Sequence, residues 1–473
     1  MIRPTLDEAK KFAENKNYTI IPIALEIFSD IRTPMEVLKV LKAKGKNAYI
    51  LESVENGESW GRYTFLGYNP STTFIGKDGT VTVKTADGET KRKGNSHDIL
   101  KEIVRAYKSP NIDYLPTFTG GFVGYFAYDY INSGEFCLML YKQIIAFDHL
   151  KQKIFLINNI ETQNLEQNYI HGVEILKDME SLITGERGAG YPSGRLKSEF
   201  TPSFSETEFI KAVEKVKDYI NNGDALQVVP SIKFTADYEG DLLQAYRTLR
   251  TINPSSYMFY MQFDDMQIAG ASPETLVSLK NGVVSTYPLA GTCKRTKDEA
   301  ENKRLLAKLL SDPKELIEHE MLVDLGKEDL NKVCEPGSVY VDEYRVIKTC
   351  SHVYHIESKI RGKIRPECDA FDAMSASLPA GTLSGAPRDK AMEIISEFEK
   401  GGRDVYGGAV GYIDFAGDMD LCIGIRMAVL RDGKVSVQAG AGVVAESVPV
   451  NEYNECRNKA RAMLEAIKNM ERI

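Results

Sequence analysis

Two short segments in the last third of the chain each carry a pair of glutamates three residues apart. One is Ser311-Asp312-Pro313-Lys314-Glu315-Leu316-Ile317-Glu318-His319, the other Asn451-Glu452-Tyr453-Asn454-Glu455-Cys456. On a helix such a spacing puts both carboxylates on one face. Between the pairs in sequence lie His355, Arg426 after an apolar run, and the turn Gly440-Ala441-Gly442. Four carboxylates supply the oxygen ligands that a hard divalent cation takes, while arginine and successive backbone N–H groups capture anionic oxygen. The chemistry implied is metal-assisted work on a small organic acid with more than one carboxylate.

Each of these features also has a plainer meaning. Asp312 can cap a helix that Pro313 begins and Glu315 completes, a capping box that needs no function. Glu318 differs, because it borders the apolar row Met321, Leu322 and Leu325. In the second segment Glu452, Cys456, Lys459 and Met463 follow helical spacing, so charged and apolar side chains share one row. Burying such charges is costly unless each finds a partner or a metal. Arg426 is expected to end the strand Leu421–Arg426, placed for a bidentate carboxylate contact. The Gly440–Gly442 turn is expected to aim its amides at an anion, although a simple tight turn explains it equally. His355 alternates in a strand, where a hydrogen-bonded core histidine is the commoner fate; beside carboxylates it becomes a proton shuttle.

The elements that position these residues belong to a chain of 473 residues, long enough for two units. An N-terminal region, residues 1–182, mixes helix and strand. Thr33-Pro34-Met35-Glu36 starts a helix, Asn47–Ser53 reads as a strand, and Asp78-Gly79 and Asp87-Gly88 read as hairpin turns. Residues 183–203, rich in glycine, serine and proline, read as a linker. A helix over Glu206–Asn221 opens the region 204–473, and Leu226–Pro230 follows as a strand. Gly120-Gly121-Phe122-Val123-Gly124-Tyr125 echoes Gly407-Gly408-Ala409-Val410-Gly411-Tyr412, as if both halves contribute related strands to one sheet system. Strands and helices without regular βαβ alternation point to an α+β fold.

Composition narrows the function. Apolar content of 43% and charged content of 27% are those of a soluble globular chain. A net charge of −8, with no long basic cluster, argues against nucleic acid. Seven scattered cysteines without a C-x-x-C pair support neither a disulfide framework nor a zinc site. With no apolar run of membrane-spanning length and no hydrophobic signal region, a cytoplasmic protein with no membrane association is expected.

Taken in order, six segments closely resemble the chorismate-utilising enzymes, and among them anthranilate synthase component I. They are Tyr287–Thr292, Lys314–Leu325, His352–Ile356, Pro379–Pro387, Tyr406–Tyr412, and Gly440–Ser447 followed by Pro449. The resemblance runs from about residue 200 to the C-terminus, and is looser in the N-terminal half, mainly at Leu51-Glu52-Ser53. It implies a sandwich-like core of large mixed β-sheets flanked by helices, with residues 204–473 as the chorismate-binding region. Relatives that add water to chorismate carry a lysine base where Gln227 stands; an amide cannot deprotonate water but can orient ammonia. Aminodeoxychorismate synthases place a lysine nucleophile where Ala290 stands, which leaves that enzyme of folate synthesis as the alternative. The resemblance thus implies a lyase that aminates chorismate at ring carbon 2 and eliminates pyruvate to give anthranilate, the first committed step of tryptophan synthesis.

It also implies roles. Mg²⁺ would be held by Glu315, Glu318, Glu452 and Glu455, and Glu274 in Ser272-Pro273-Glu274 would be the general acid, its pKa raised by burial. Arg426, Tyr406, Lys459 and the amides of Gly440, Ala441 and Gly442 would hold carboxylates. His355 would assist pyruvate loss, and Gly291, Thr292 and Thr382 would line the pocket. The absence of a Gly-x-Cys-x-Gly turn implies a separate glutamine amidotransferase subunit, hence a hetero-oligomer. Leu51 and Ser53 with Asn253, Pro254, Tyr257 and Met258 resemble the segments that bind tryptophan as feedback inhibitor, Ser256 standing where many members have proline.

Overall fold

The computed structural model describes residues 2–53, 61–185, 190, 192–349 and 353–470. His352, and residues 186–189 and 191 of the expected linker, lie outside them. Within the described residues, two large sheets of thirteen and twelve strands hold every strand but one short pair. Every pairing between the strands is antiparallel where mixed sheets were expected, so hairpins and long returns always bring the chain back in the opposite sense.

Strand composition explains how the sheets stack. Gly121–Phe126 is buried along its whole length. Its Val123 and Tyr125 enter one apolar cluster while Phe122 and Phe126 enter another. In Gln143–Asp148 of the other sheet, Ile144 and Ala146 join that first cluster, and Ile145 and Phe147 join a third. Alternate side chains point to opposite faces, so strands apolar on both faces must be covered on both. The result is four layers. The two sheets bury one cluster between them, and helices cover each outer face.

Both halves of the chain build both sheets. Tyr49–Glu52 pairs with Tyr257–Gln262 in the first sheet, and Gly121–Phe126 with Ala409–Asp414 in the second. The two glycine-led strands that echo one another in sequence are thus direct neighbours, with Gly124 opposite Gly411. The expected linker also departs from its reading as a free connection. Helix Leu165–Gly185 continues into it, and Gly194–Leu196 and Thr201–Pro202 pair with Ser231–Gly240. Their unpaired backbone groups find partners on an edge strand that composition alone does not reveal. Of the strand expected over Leu226–Pro230, only Gln227–Val228 forms, paired with Gly385–Ala386.

Two helices carry the acids. Pro313–Asn331 starts on Asp312, whose side chain accepts from Lys314 N–H at 3.0 Å, and has proline in its first turn. It lies against Leu289–Lys294 and Val353–Lys363, strands of the second sheet. Fully buried His319 ties it down, with Nε2 2.7 Å from Ser358 Oγ. Helix Pro449–Lys468 buries Cys456, Ala460 and Met463 in the cluster outside the first sheet. Glu315 and Glu452 sit in the first turns of their helices, where the helix dipole favours negative charge, and Glu318 and Glu455 follow one turn later. No helix among the described residues is long and apolar enough to cross a membrane.

The glycine seam is testable. A β-carbon on Gly124 would lie 2.0 Å from the Cys137 carbonyl oxygen, so Gly124→Ala must push two backbones apart. We expect a loss of about 1–3 kcal/mol of stability, read from denaturant unfolding. An unchanged midpoint would show that the strands have room there.

Candidate active site

Around the N-terminal ends of the two acidic helices the chain gathers the four glutamates, Gln227, Lys459 and the Gly291 bulge. Glu315 is half-buried and its carboxyl is pushed up by burial, then by the charges of Glu318, Asp312 and Glu455. Glu452 is raised by burial too, with Glu455 adding to the shift and Lys314 and Lys459 opposing it. Each helix therefore lies in the electrostatic field of the other. Glu318 accepts from Gln227 Nε2 at 3.3 Å, and Lys459 forms an ion pair with Glu455 at 2.7 Å while donating to the Gly440 carbonyl at 3.1 Å.

His355 and its neighbours are placed by a register shift. Leu289–Lys294 slips against Val353–Lys363 between Ala290 and Thr292, at Gly291, whose φ is +75°. Such bulges re-aim side chains. Here Thr292 Oγ1 lies 2.9 Å and the Gly291 carbonyl 3.3 Å from His355 Nδ1. A carbonyl only accepts, so Nδ1 carries the proton and Nε2 keeps its lone pair. Burial pushes His355 down to about 4, with Arg426 and Lys348 opposing protonation as well, so the ring is neutral at pH 7. A β-carbon on Gly291 would sit 3.2 Å from Glu315 Oε2, which ties the histidine corner to the acidic helix.

Glu274 is the buried acid. Its Oε1 accepts from Thr382 Oγ1 at 3.0 Å, and burial raises it to about 7 against the pull of Thr382, Lys459, Lys348 and Arg426. Arg426 does not end a strand as expected. The strand stops at Ile423, and Arg426 stands before Met427–Arg431 with a φ of +51°. Few non-glycine residues adopt that conformation without a reason in their surroundings. Burial disfavours its charge, and Tyr406, Glu274 and Glu455 support it.

The Gly440–Gly442 turn differs from a row of free amides. Ala441 N–H donates to the Pro230 carbonyl at 3.1 Å, so that amide does not face an anion. A β-carbon on Gly440 would approach Tyr406 Oη to 3.0 Å, and one on Gly442 would approach Gln227 Nε2 to 2.6 Å. These glycines give Tyr406 and Gln227 their places. Lys348 escaped notice in the sequence because only the strand register sets it opposite His355.

No three His, Cys, Asp or Glu side chains among the described residues stand close enough to hold a metal ion as they are. The donor chemistry of the four glutamates nonetheless fits Mg²⁺, which takes oxygen ligands and keeps waters. The mutual repulsion felt at Glu315 and Glu452 is what a dication would relieve.

A second opening lies between the sheets. Leu51, Ser53, Tyr257 and Met258 line a cleft of about 650 Å³ together with Phe65, Lys280, Tyr412, Asp420 and Cys422. Asn253 and Pro254 do not line it. Asn253 caps helix Leu243–Ile252, its N–H bound to the Leu249 carbonyl at 2.9 Å, and Ser256 takes the place on the wall.

Residues 47–465 match the family model of the chorismate binding enzymes. The chain belongs to that family. It is 41% identical to anthranilate synthase component 1 of Acetivibrio thermocellus, the match covering 99% of each chain. It is 40% identical to the same component of Aquifex aeolicus (strain VF5), over 98% of this chain and 97% of that one. Among solved structures, anthranilate synthase component I from Streptococcus pneumoniae TIGR4 superposes with a TM-score of 0.74 at 35% identity, covering 93% of this chain and 99% of that chain. The chorismate binding enzyme family thus accounts for both sheets and for the chain on either side of their seams.

Gly442→Ala probes the crowding around Gln227. The backbone accepts alanine, but the methyl must displace the Gln227 amide from Glu318. We expect chorismate consumption to fall roughly tenfold, about 1.4 kcal/mol of transition-state stabilisation, with little change in melting temperature. Full activity would mean that Gln227 need not hold this position.

Proposed function

We propose that this chain is the chorismate-converting subunit of an anthranilate synthase. It adds ammonia to ring carbon 2 of chorismate with loss of the ring hydroxyl as water, then eliminates pyruvate to leave anthranilate. The observation that carries this reading is Glu274, a buried carboxyl raised to about 7 and facing Lys459, Lys348 and Arg426. It can be protonated in neutral solution and so deliver a proton to the departing hydroxyl.

The other residues follow from their surroundings. Arg426 and Lys459 meet the substrate carboxylates. Gln227, an amide, orients ammonia and cannot make a nucleophile of water. Neutral His355, with Nε2 unprotonated, takes the ring proton as pyruvate leaves. Glu315, Glu318, Glu452 and Glu455 would hold Mg²⁺, which would supply positive charge for the ring carboxylate. Ala290 offers no amine for covalent addition to the ring, which favours direct amination over the aminodeoxychorismate route.

Ammonia would come from a glutamine amidotransferase subunit in a hetero-oligomer in the cytoplasm. The cleft between the sheets would bind tryptophan as feedback inhibitor. Asp420 suits an ammonium group, Lys280 a carboxylate, and Phe65, Tyr257 and Tyr412 an indole ring.

The deciding experiment incubates the chain with chorismate, ammonium and Mg²⁺ and identifies the product. Anthranilate, formed only with metal present, is expected. A product that retains the enolpyruvyl group points instead to aminodeoxychorismate, and no turnover at saturating substrate removes the proposal. Glu274 makes a second prediction. At constant free ammonia, kcat should fall as pH rises through about 7, because the acid form is lost above the folded pKa. Glu274→Gln should lower kcat by roughly two to four powers of ten. A rate indifferent to pH between 6 and 8 would exclude Glu274 as the acid.

A further inference from the structure

The cleft between the sheets and the active site share a wall. Behind Glu274 lies a second cavity of about 440 Å³, bounded by Glu274, Thr275, Thr382 and Ile423. Cys422 lines the cleft and Ile423 this cavity, so neighbours on one strand face opposite openings. Across the ladder Thr275 sits opposite Cys422, and Ile423 N–H donates to the Glu274 carbonyl at 3.0 Å. The register slips between Thr275 and Val277, immediately beyond this point. A bulge is where a strand end can tilt without breaking the rest of the ladder.

A line of oxygens crosses the wall. Tyr257 Oη is 2.7 Å from Asp420 Oδ1 and 3.1 Å from Thr275 Oγ1. A phenol has one proton to give and a carboxylate only accepts, so Tyr257 donates to Asp420 and Thr275 donates to Tyr257. Asp420 and Tyr257 line the cleft, whereas Thr275 is one peptide bond from Glu274. Glu274 is in turn steered by Thr382.

We propose that Tyr257 and Thr275 are positioning residues through which a ligand in the cleft acts on Glu274. An ammonium group that engages Asp420 competes with the Tyr257 phenol for the same carboxylate. The phenol then turns, Thr275 loses its acceptor, and the strand end at the bulge shifts Glu274 relative to Thr382. This rests on the assignment of the cleft to tryptophan. Its own content is the route, two hydroxyls long, from the cleft to the catalytic acid.

The test separates binding from inhibition. Tryptophan is titrated by calorimetry and, in parallel, against chorismate conversion for the wild type, Thr275→Val and Thr275→Ser. In Thr275→Val we expect binding close to wild type while the half-inhibiting concentration rises by roughly tenfold. Thr275→Ser, which keeps the hydroxyl, should restore inhibition. Unchanged inhibition in Thr275→Val, parallel loss of binding and inhibition, or no rescue by serine each overturns the relay. A wild type that binds no tryptophan overturns the assignment of the cleft, and the relay with it. Should Thr275→Val fail to fold, Thr275→Ala carries the same criterion, because it too removes the Thr275 hydroxyl and leaves Tyr257 and Asp420 in the cleft.

Discussion

Glu274, Arg426 and His355 are held out of water within reach of one another's fields, and each owes its protonation state to that confinement. Burial raises Glu274 and lowers His355, so one keeps a proton and the other refuses it at the same pH. Opposite shifts from a single environment are the mark of a site prepared to give and take protons. Arg426 keeps its charge because Tyr406, Glu274 and Glu455 stand close by. The site is divided into a cationic side with Arg426, Lys459 and Lys348 and an acidic side built by two helix N-termini. In the proposed reading, a dianionic ring and a dication would together satisfy both sides.

The four-layer stack explains how such distant parts of the sequence arrive there. One acidic helix leans on the second sheet, the other on the outer face of the first. Their first turns lie within each other's electrostatic reach, Glu455 acting on Glu315 and Lys314 on Glu452. Glycines set the close approaches, Gly124 against the Cys137 carbonyl and Gly411 against the Asp420 carbonyl, and again Gly440 and Gly442, where a methyl would crowd Tyr406 and Gln227. Strand Met419–Ile423 does double work, since Asp420 and Cys422 line one opening and Ile423 the other.

Sequence pattern by itself determined the local features. Helix starts at Asp312-Pro313 and Thr33-Pro34, the left-handed hairpin turn at Asp78-Gly79 and the buried glycine-led strand Gly121–Phe126 all follow from residue type and spacing, because caps, turns and faces are set within a few residues. The same locality showed the glutamate pairs and the motifs that the family shares. Tertiary structure alone decided which groups meet. The Ala441 amide goes to Pro230, Asn253 caps a helix instead of lining the cleft, Arg426 stands beyond its strand, and Lys348 faces His355. The Ala441–Pro230 contact joins residues far apart in the chain, and Lys348 comes opposite His355 only through a hairpin whose register shifts twice, which residue spacing does not show. Periodicity reports which way a side chain faces, and only the packed sheets settle what it faces.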